Sequence, residues 1–196
     1  EIEVVQRLET CRRATNALQE ISFDTIAGTG PHVAIMHYRV TEDTNLTLTD
    51  CDLLVLDSGG QYLDGTTDIT RTVAIGEPGD EVRRMFTLVL KGHIALDQAR
   101  FPEGTTGTQL DILARQFLWQ QGFDYDHGTG HCVCCYLSVH EGPQRIAKVY
   151  NGTELKPGLV LSNEPGYYKD GTYVMRCENL VVVTDIGEVA GTDRKM

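Results

Sequence analysis

The 196-residue sequence predicts an α+β domain built on antiparallel sheet. Helix-like and strand-like segments occur in mixed order along the chain, and short turns join the strand-like segments. The length is sufficient for one domain with a sizeable core, and a hydrophobic content of 41% is ordinary for a globular protein. No long linker or low-complexity segment divides the sequence, so we expect residues 1–196 to form a single domain.

Three segments have the periodicity of amphipathic helices, with apolar residues returning at spacings of three and four. We expect helices at 3–20, 80–99 and 108–121, and Gly122 is a plausible stop for the third. The expected inward positions are Val4, Leu8, Cys11, Thr15 and Leu18 in the first helix, Val82, Phe86, Val89 and Leu90 in the second, and Leu110, Leu113, Ala114, Phe117 and Leu118 in the third.

Four further segments have the composition of β-strands. We expect strands at 52–58, 67–75, 159–164 and 173–184, because these stretches are apolar or alternate between apolar and polar residues, and the last is rich in valine.

The charge, hydropathy and cysteine spacing exclude several classes of protein. A net charge of −11 argues against binding to nucleic acid or to an anionic membrane. No apolar run approaches the roughly 18 residues of a membrane-spanning helix. The six cysteines have neither the spacing of a disulfide framework nor that of a zinc finger, so we expect reduced thiols and a cytoplasmic protein. They are Cys11, Cys51, Cys132, Cys134, Cys135 and Cys177.

Two acidic pairs flank Asp-Gly turn signals between strand-like runs. Glu164 and Glu178 lie at equal distances from Gly171, so a hairpin centred there places the two side chains directly opposite each other. Asp57 and Asp68 flank Asp64-Gly65, but their midpoint falls before that dipeptide, so we expect an irregular loop. Two acid-bearing hairpins indicate a duplicated half-domain.

Opposed carboxylates are destabilising unless a shared proton or a divalent cation neutralises them. Two divalent ions would balance four carboxylates, and a site rich in oxygen with one imidazole suits manganese, cobalt, iron or zinc. Acids beside turns are more often solvated turn residues, so spacing alone leaves both interpretations open.

Three of the six histidines fall in one glycine-containing segment, DHGTGHCVCCYLSVHEGP at 126–143. His127, His131 and His140 are candidates for binding a metal or polarising a carbonyl, although each taken singly is more often structural or exposed. The Gly-Thr-Gly sequence before His131 argues against a helix there. We interpret His93 as structural and His32 as a loop residue.

Six segments in order resemble the successive motifs of the aminopeptidase P family, which belongs to the creatinase-like "pita-bread" metallopeptidases. The resemblance covers nearly the whole chain and implies a curved antiparallel sheet with flanking helices and pseudo-twofold duplicated halves. The segments are AIMHY (34–38), DSGGQYLDGTTDITRT (57–72), LDILARQFLW (110–119), GTGHCVCCYLSVHEGP (128–143), SNEPGYY (162–168) and MRCEN (175–179).

The resemblance implies a role for each matching residue. It implies two divalent metal ions per chain, manganese first, with zinc or cobalt as alternatives. The implied metal ligands are Asp57, Asp68, His131, Glu164 and Glu178, and the implied substrate-binding residues are His37, His127, His140 and Arg176.

The resemblance also implies a reaction, in which a hydroxide bridging the two metals releases the N-terminal residue from a peptide with proline in the second position. Glu164 is the expected general base, and His140 or His127 is expected to stabilise the oxyanion. A homodimer is implied as well. The rival hypothesis is a non-catalytic peptide- or protein-binding member of the same fold; retention of all five ligand types argues against it.

Two departures from the family pattern concern cysteines and length. Cys132 and Cys134 stand where the family commonly has glycine, and they are either small buried fillers or redox-sensitive thiols with lowered pKa. The N-terminal domains usual in the family do not precede this segment, so we expect the chain to be a fragment of a longer protein.

Overall fold

The structure is a computed structural model that describes residues 1–35, 38–50, 52–188, 191 and 195–196. Its helices and strands alternate in mixed order, as predicted for an α+β domain. The helices are α1 (Ile2–Arg13), α2 (Asp80–Asp97) and α3 (Gly107–Trp119), with a short 3-10 helix at Gly30–Ala34. The strands are β1 (Glu20–Ile21), β2 (Ile26–Thr29), β3 (Leu53–Ser58), β4 (Gly60–Tyr62), β5 (Gly65–Thr66), β6 (Ile69–Ala74), β7 (Gly130–Cys132), β8 (Glu141–Ile146), β9 (Val160–Asn163), β10 (Gly166–Lys169), β11 (Tyr173–Arg176) and β12 (Asn179–Val182).

Every strand pairing within the described residues is antiparallel. One larger sheet has the order β2-β3-β6 and the other the order β12-β9-β7-β8. In each half a long hairpin is interrupted and then continues into a shorter ladder: β3 and β6 lead to β4 and β5, and β9 and β12 lead to β10 and β11. The duplicated pattern expected from the sequence is therefore present; Asp68, Glu164 and Glu178 lie at the interruptions, and Asp57 lies near the end of β3.

The first helix differs from its prediction. Helix α1 ends at Arg13 instead of residue 20, because Asn16 takes a left-handed backbone with φ 56° and the chain then enters β1. The backbone N–H of Gln19 donates to the carbonyl of Gln61 at 2.9 Å, which fixes that entry. Of the expected inward positions, Val4 and Leu8 are half-buried, whereas Cys11 and Thr15 are exposed, and no residue of α1 is fully buried.

Helices α2 and α3 pack closely against each other. Gly92 makes this possible, because a Cβ there would lie 2.0 Å from the carbonyl oxygen of Ala114. Val89 and Ala114 are fully buried, as predicted, whereas Leu90 is 36% exposed and was wrongly placed inward. Gly122, with φ 78°, ends the α3 turn as predicted.

The long strand predicted at 173–184 is two strands. Strands β11 and β12 are separated at Cys177 and Glu178, which leave the regular ladder where the acid faces the interior. None of the helices among the described residues is long and apolar enough to cross a membrane.

Candidate active site

The second hairpin brings its two glutamates face to face. Asn163 pairs with Asn179 in one ladder and Gly166 pairs with Arg176 in the next, and both ladders follow one register centred on Gly171. In that register Glu164 falls opposite Glu178, as the sequence predicted. The two residues lie in the gap between the ladders, where the backbone N–H of Glu164 donates to the carbonyl of Thr129 at 2.8 Å and that of Glu178 to the carbonyl of Thr70 at 3.3 Å.

The first hairpin follows one register through both of its ladders, in place of the irregular loop expected there. Asp57 pairs with Thr70 in the β3–β6 ladder, so Asp68 lies two positions beyond its partner, on the same face and diagonally across. The turn falls at residues 63–64 and Gly65 already belongs to β5, which corrects the predicted Asp64-Gly65 turn. A diagonal pair leaves more room between the carboxylates than a directly opposed one.

His131 joins the two hairpins. Its Nε2 lies 3.2 Å from Glu164 Oε1 and 3.5 Å from Asp68 Oδ2. Its Nδ1 donates to the carbonyl of Cys132 at 3.0 Å, since a carbonyl oxygen only accepts. This tautomer directs Nε2 at the carboxylates, which is the usual arrangement of a metal-binding imidazole. Burial opposes a charge on His131, but its hydrogen bond to Glu164 raises the pKa to about 9.

The protein alone does not balance the charge of this carboxylate cluster. Burial and the neighbouring charge of Asp57 raise the pKa of Asp68 to about 7. Burial and the charge of Glu164 raise the pKa of Glu178 well above its ordinary value. Asp57 Oδ1 is buried without a hydrogen-bond partner among the described residues. Carboxylates that retain protons, together with an orphaned oxygen, fit a site that takes divalent cations in their place.

The pKa of Glu164 is shifted in the opposite direction from the pKa values of the other acids of the site. Burial raises its pKa, but the hydrogen bond with His131 and the charge of Arg176 outweigh burial, so the pKa is lowered. Ser162 Oγ donates to Glu164 Oε1 at 3.0 Å and accepts the backbone N–H of His131 at 3.0 Å. Ser162 therefore fixes the relative position of two ligand-type side chains. Glu164 is ionised and half-buried, and it lines the open cleft.

Arg176 and Thr70 connect the two hairpins beneath the acids. The Nη2 of Arg176 bonds Asp57 Oδ2, and its Nε donates to Thr70 Oγ1 at 3.0 Å. Thr70 Oγ1 in turn donates to Glu178 Oε2 at 2.5 Å. Thr70 was not identified from the sequence, because a threonine in a strand has no chemical signature until its partners are known. The threonine hydroxyl and the guanidinium thus orient two of the acids.

A hydrogen-bond chain sets the tautomer of His127. Arg176 Nη1 donates to the Tyr168 hydroxyl at 3.4 Å, and that hydroxyl lies 2.8 Å from His127 Nε2. His127 Nδ1 donates to the carbonyl of Gly128 at 2.8 Å. Burial lowers the pKa of His127, so the ring is neutral and Nε2 accepts the Tyr168 proton. Tyr168 is a second residue that sequence reasoning missed.

A cleft of about 400 Å³ opens above the acids. His140 lines it beside His131, with ring centroids 4.6 Å apart, and follows Val139, whose φ of 66° is unusual for a branched residue. His37 lies outside the described residues. The cleft-lining residues that carry polar side chains are Asp57, Asp126, His127, His131, His140, Arg145, Lys148, Glu164 and Arg176.

A buried arginine supports the segment that carries His127 and His131. Arg115 on α3 pairs with Asp111 at 2.6 Å, donates to the carbonyl of His127 at 2.8 Å, and stacks over Tyr125 at 3.8 Å. Its Nη1 donates to Asp124 at 2.8 Å. Periodicity in the sequence predicts only the apolar face of α3, so this anchor was missed.

The remaining histidines and cysteines lie outside the ligand set. His93 is buried and donates to the carbonyl of Asn163 at 3.0 Å, which agrees with the structural role predicted for it. His32 lies in the 3-10 helix instead of an irregular loop. Hydrogen bonds with Cys132 and Glu141 raise the pKa of Cys134 to about 12, the opposite of the lowered pKa considered for a reactive thiol.

Comparisons with known proteins converge on one group. Residues 1–185 match the profile of metallopeptidase family M24. A probable Xaa-Pro aminopeptidase P of Tuber melanosporum is 51% identical over 189 residues, which cover 95% of this chain and 30% of that protein. Its counterpart in Botryotinia fuckeliana is also 51% identical, over 95% of this chain and 29% of that protein.

Solved structures agree with the sequence comparisons. The X-prolyl aminopeptidase of Caenorhabditis elegans, described as a cytosolic enzyme with a di-nuclear active site, superposes with a TM-score of 0.91 at 41% identity. The match covers 100% of this chain and 32% of that one. The prolidase of Pyrococcus furiosus gives 0.84 at 33% identity over 94% of this chain and 52% of that one. The chain thus spans about a third of the length of the aminopeptidases it matches.

Proposed function

Because the chain belongs to metallopeptidase family M24, we propose that it is the catalytic domain of a metal-dependent aminopeptidase that releases the N-terminal residue from peptides with proline in the second position. The observation that carries the proposal is the convergence of Asp57, Asp68, His131, Glu164 and Glu178, of which Asp57, His131 and Glu164 line one open cleft and Asp68 and Glu178 lie beside His131. These five side chains do not stabilise the fold by themselves, because four buried or half-buried carboxylates repel one another unless a cation neutralises them.

The five converging side chains would hold two divalent ions, and we propose manganese as the first choice, with zinc or cobalt as alternatives. Oxygen donors with one imidazole fit these metals better than they fit a thiolate-seeking one. When bound, the ions supply Lewis acidity, which lowers the pKa of a water molecule and polarises the scissile carbonyl. The residues that would hold them are Asp57, Asp68, His131, Glu164 and Glu178.

The protein's own groups supply the proton transfers and the orientation. Glu164 is ionised and faces the cleft, so it is placed to accept the proton of the attacking water at a carboxylate oxygen. Arg176 holds Asp57, and Thr70 holds Glu178, so that neither acid turns away from the cleft.

The two cleft histidines differ in what they can donate. His127 in its present tautomer uses Nδ1 for the Gly128 carbonyl and accepts a proton at Nε2. It therefore has no N–H left for a substrate oxyanion. We assign oxyanion stabilisation to His140, which lines the cleft beside His131, and a substrate-positioning role to His127. The substrate-binding role implied for His37 stays a prediction.

The preference for proline rests on the relatives. The two fungal relatives are named as probable Xaa-Pro aminopeptidases P, and the resembling motifs include the VHEGP sequence at 139–143. The five described cysteines are free thiols, and the C. elegans enzyme is described as cytosolic, which supports a cytoplasmic location. The homodimer implied by the resemblance stays a prediction, which sedimentation velocity would test.

The test is hydrolysis of an Xaa-Pro-Pro tripeptide by the metal-free protein before and after addition of Mn²⁺. We expect activity only with metal, and no cleavage of the matched Xaa-Ala-Pro peptide. Glu164→Gln should lower kcat by a factor of about 100 to 10,000, because it removes the general base. The matched control is Asp64→Asn, an exposed acid in the turn of the same region, which should leave kcat unchanged.

The same assay distinguishes the proposed enzyme from the rival hypothesis of a non-catalytic binding protein. A non-catalytic binding protein on this fold would bind the peptide without releasing its first residue under any of the three metals. If metal-loaded protein bound Xaa-Pro-Pro in calorimetry and released no free amino acid, the catalytic proposal would be wrong and the binding function would stand.

A further inference from the structure

A second group of metal-ligand side chains lies beside the carboxylate site. One atom each from Cys132, Cys134 and Glu141 lies within 4.8 Å of the other two. The two sulfur atoms are 3.0 Å apart, and both cysteines are free thiols. Cys132 is buried, and Cys134 and Glu141 are half-buried. Neither the proposed reaction nor the charge balance of the carboxylate site uses these three groups.

Strand pairing and a backbone hydrogen bond bring Cys132, Cys134 and Glu141 together. Cys132 stands opposite Glu141 in the β7–β8 ladder, immediately after a shift of register between His131 and Cys132. The chain then leaves β7 and returns at Glu141, and the backbone N–H of Cys134 donates to Glu141 Oε2 at 3.1 Å. Cross-strand pairing and this hydrogen bond therefore hold both cysteines against one carboxylate.

One carboxylate oxygen of the group lacks a partner. Glu141 Oε1 is buried and accepts no hydrogen bond from any described residue. A buried acceptor left unsatisfied costs about 1–3 kcal/mol, and a cation bound there would satisfy it. The neighbouring donors are two sulfur atoms, which select thiolate-seeking metals and not the oxygen-seeking metals proposed for the carboxylate site.

We propose that Cys132, Cys134 and Glu141 form a binding site for a thiophilic divalent cation of the Zn²⁺ or Cd²⁺ type. The two thiols give up their protons to solvent when the cation binds, and the carboxylate completes a three-residue ligand set. Three protein ligands with an open fourth position are a common coordination for zinc. The site is distinct from the carboxylate site, whose ligands group separately around Asp68, His131 and Glu178.

The site is adjacent to the carboxylate site through the backbone. The carbonyl of Cys132 accepts the Nδ1–H of His131 at 3.0 Å. A cation fixed on the Cys132 sulfur would therefore hold the residue that orients His131. The proposal does not depend on peptidase activity, because its ligands lie outside the carboxylate site and its measurement detects only sulfur ligands.

The test is titration of the reduced protein with Cd²⁺, followed by thiolate-to-cadmium charge-transfer absorption in the ultraviolet. The carboxylate site has no sulfur ligand and is silent in this measurement even when it also binds Cd²⁺. We expect absorption that saturates at roughly one additional Cd²⁺ per chain and that Zn²⁺ displaces. The double variant C132S/C134S should lose the signal, and Cys134→Ser alone should retain about half of it, because one sulfur ligand remains.

Two controls keep the result interpretable. Cys135→Ser removes the exposed neighbouring thiol outside the group and should leave the absorption unchanged. Glu141→Gln keeps both sulfur atoms and should weaken Cd²⁺ binding by about 10- to 100-fold. An equal signal in the double variant and the parent protein, with circular dichroism showing both folded, would overturn the proposal. So would the absence of any sulfur signal at stoichiometric Cd²⁺. Peptidase assays play no part, so a failure of the proposed function leaves this outcome unaffected.

Discussion

At the scale of single residues, one hydroxyl decides how His127 faces the cleft. The Tyr168 hydroxyl receives a hydrogen bond from Arg176, which has no acceptor atom, so its own proton is free to go to His127 Nε2. Because Nδ1 is already committed to the Gly128 carbonyl, the ring is held at both nitrogens. Tyr168 therefore acts on the cleft through His127, as a positioning residue.

We expect Tyr168→Phe to lower kcat/KM by about 3- to 10-fold, which corresponds to the loss of one hydrogen bond of about 0.5–1.5 kcal/mol. The steady-state rate of Xaa-Pro-Pro hydrolysis gives this change, and the nitrogen chemical shifts of His127 report whether its tautomer is still fixed. Tyr150→Phe alters a tyrosine that is 80% exposed and should change neither quantity. An unchanged His127 spectrum in Tyr168→Phe would contradict the positioning role.

Asp124, which is not one of the acids of the site, should make the stability of the fold depend on pH. Burial opposes its ionisation, but hydrogen bonds from Lys148 and Arg115 outweigh burial and lower its pKa to about 2. A carboxyl whose pKa is lower in the folded than in the unfolded state stabilises the fold above the unfolded value of about 4. That stability is lost as the pH falls through the folded value.

Thermal unfolding of Asp124→Asn against the parent protein checks this. The parent should have the higher Tm at neutral pH, and the difference should shrink below about pH 4 and vanish only below about pH 2, where both side chains are uncharged. Glu154→Gln removes an exposed acid and should show no such trend. A difference in Tm that is constant with pH would show that the effect is one of packing and not of charge.

The residue types of the site were predictable, and their hydrogen bonds were not. Four acids and one histidine in ordered motifs predict a metal-ligand set, because few other functions require that combination. Thr70, Tyr168 and Arg115 act only through partners far away in the sequence, so their roles appear once the strands are paired. The tautomers of His127 and His131 follow from neighbouring carbonyls that no sequence pattern encodes.

At the scale of elements, the contact between α2 and α3 depends on the absence of one side chain. Alanine is a better helix former than glycine by about 1 kcal/mol, so propensity alone predicts that Gly92→Ala stabilises α2. The added Cβ would instead lie 2.0 Å from the Ala114 carbonyl oxygen, which is backbone and cannot rotate away. The helices would have to separate.

We therefore expect Gly92→Ala to lower the free energy of unfolding by about 1–3 kcal/mol, as overpacking does. Urea denaturation followed by circular dichroism measures the change. Thr87→Ala introduces the same residue at an exposed position of α2 and should be neutral or slightly stabilising. Stabilisation by Gly92→Ala would mean that the two helices are free to move apart.

The hairpins show what a sequence pattern can determine about register. The second hairpin was correct because Glu164 and Glu178 are symmetric about a turn glycine, and side-chain alternation fixes the rest. In the first hairpin the expected irregular loop is instead a two-residue turn at 63–64, one residue before the Asp-Gly signal. Helix α1 was predicted too long, and its expected inward positions Val4 and Leu8 are only half-buried, since periodicity does not reveal how much core surface is available to cover.

At the scale of the whole molecule, the carboxylate cluster makes stability depend on what neutralises it. In the metal-free protein Asp68 and His131 have pKa values of about 7 and about 9, both above the unfolded values of about 4 and about 6.5. A group with a raised folded pKa stabilises the fold fully below its unfolded pKa and loses that contribution as the pH rises through the folded value. The metal-free fold should therefore weaken from about pH 4 to pH 9.

Bound cations replace these protons, so the stabilisation by metal should increase over the same range. At a fixed Mn²⁺ concentration of about 100 times the Kd measured at pH 8, we expect Mn²⁺ to add about 2.7 kcal/mol at that pH, and the rise in Tm to be smaller at about pH 6, where protons compete for the same groups. Calorimetry of metal-free and Mn²⁺-loaded protein at each pH measures both trends.

Asp68→Asn mimics the protonated acid. It should lose most of the rise in Tm caused by Mn²⁺, and the stability of its metal-free form should depend less on pH. Asp64→Asn should behave like the parent. If Mn²⁺ raised Tm equally at both pH values, proton displacement would not be the source of the metal's effect, and the cations would have to bind elsewhere.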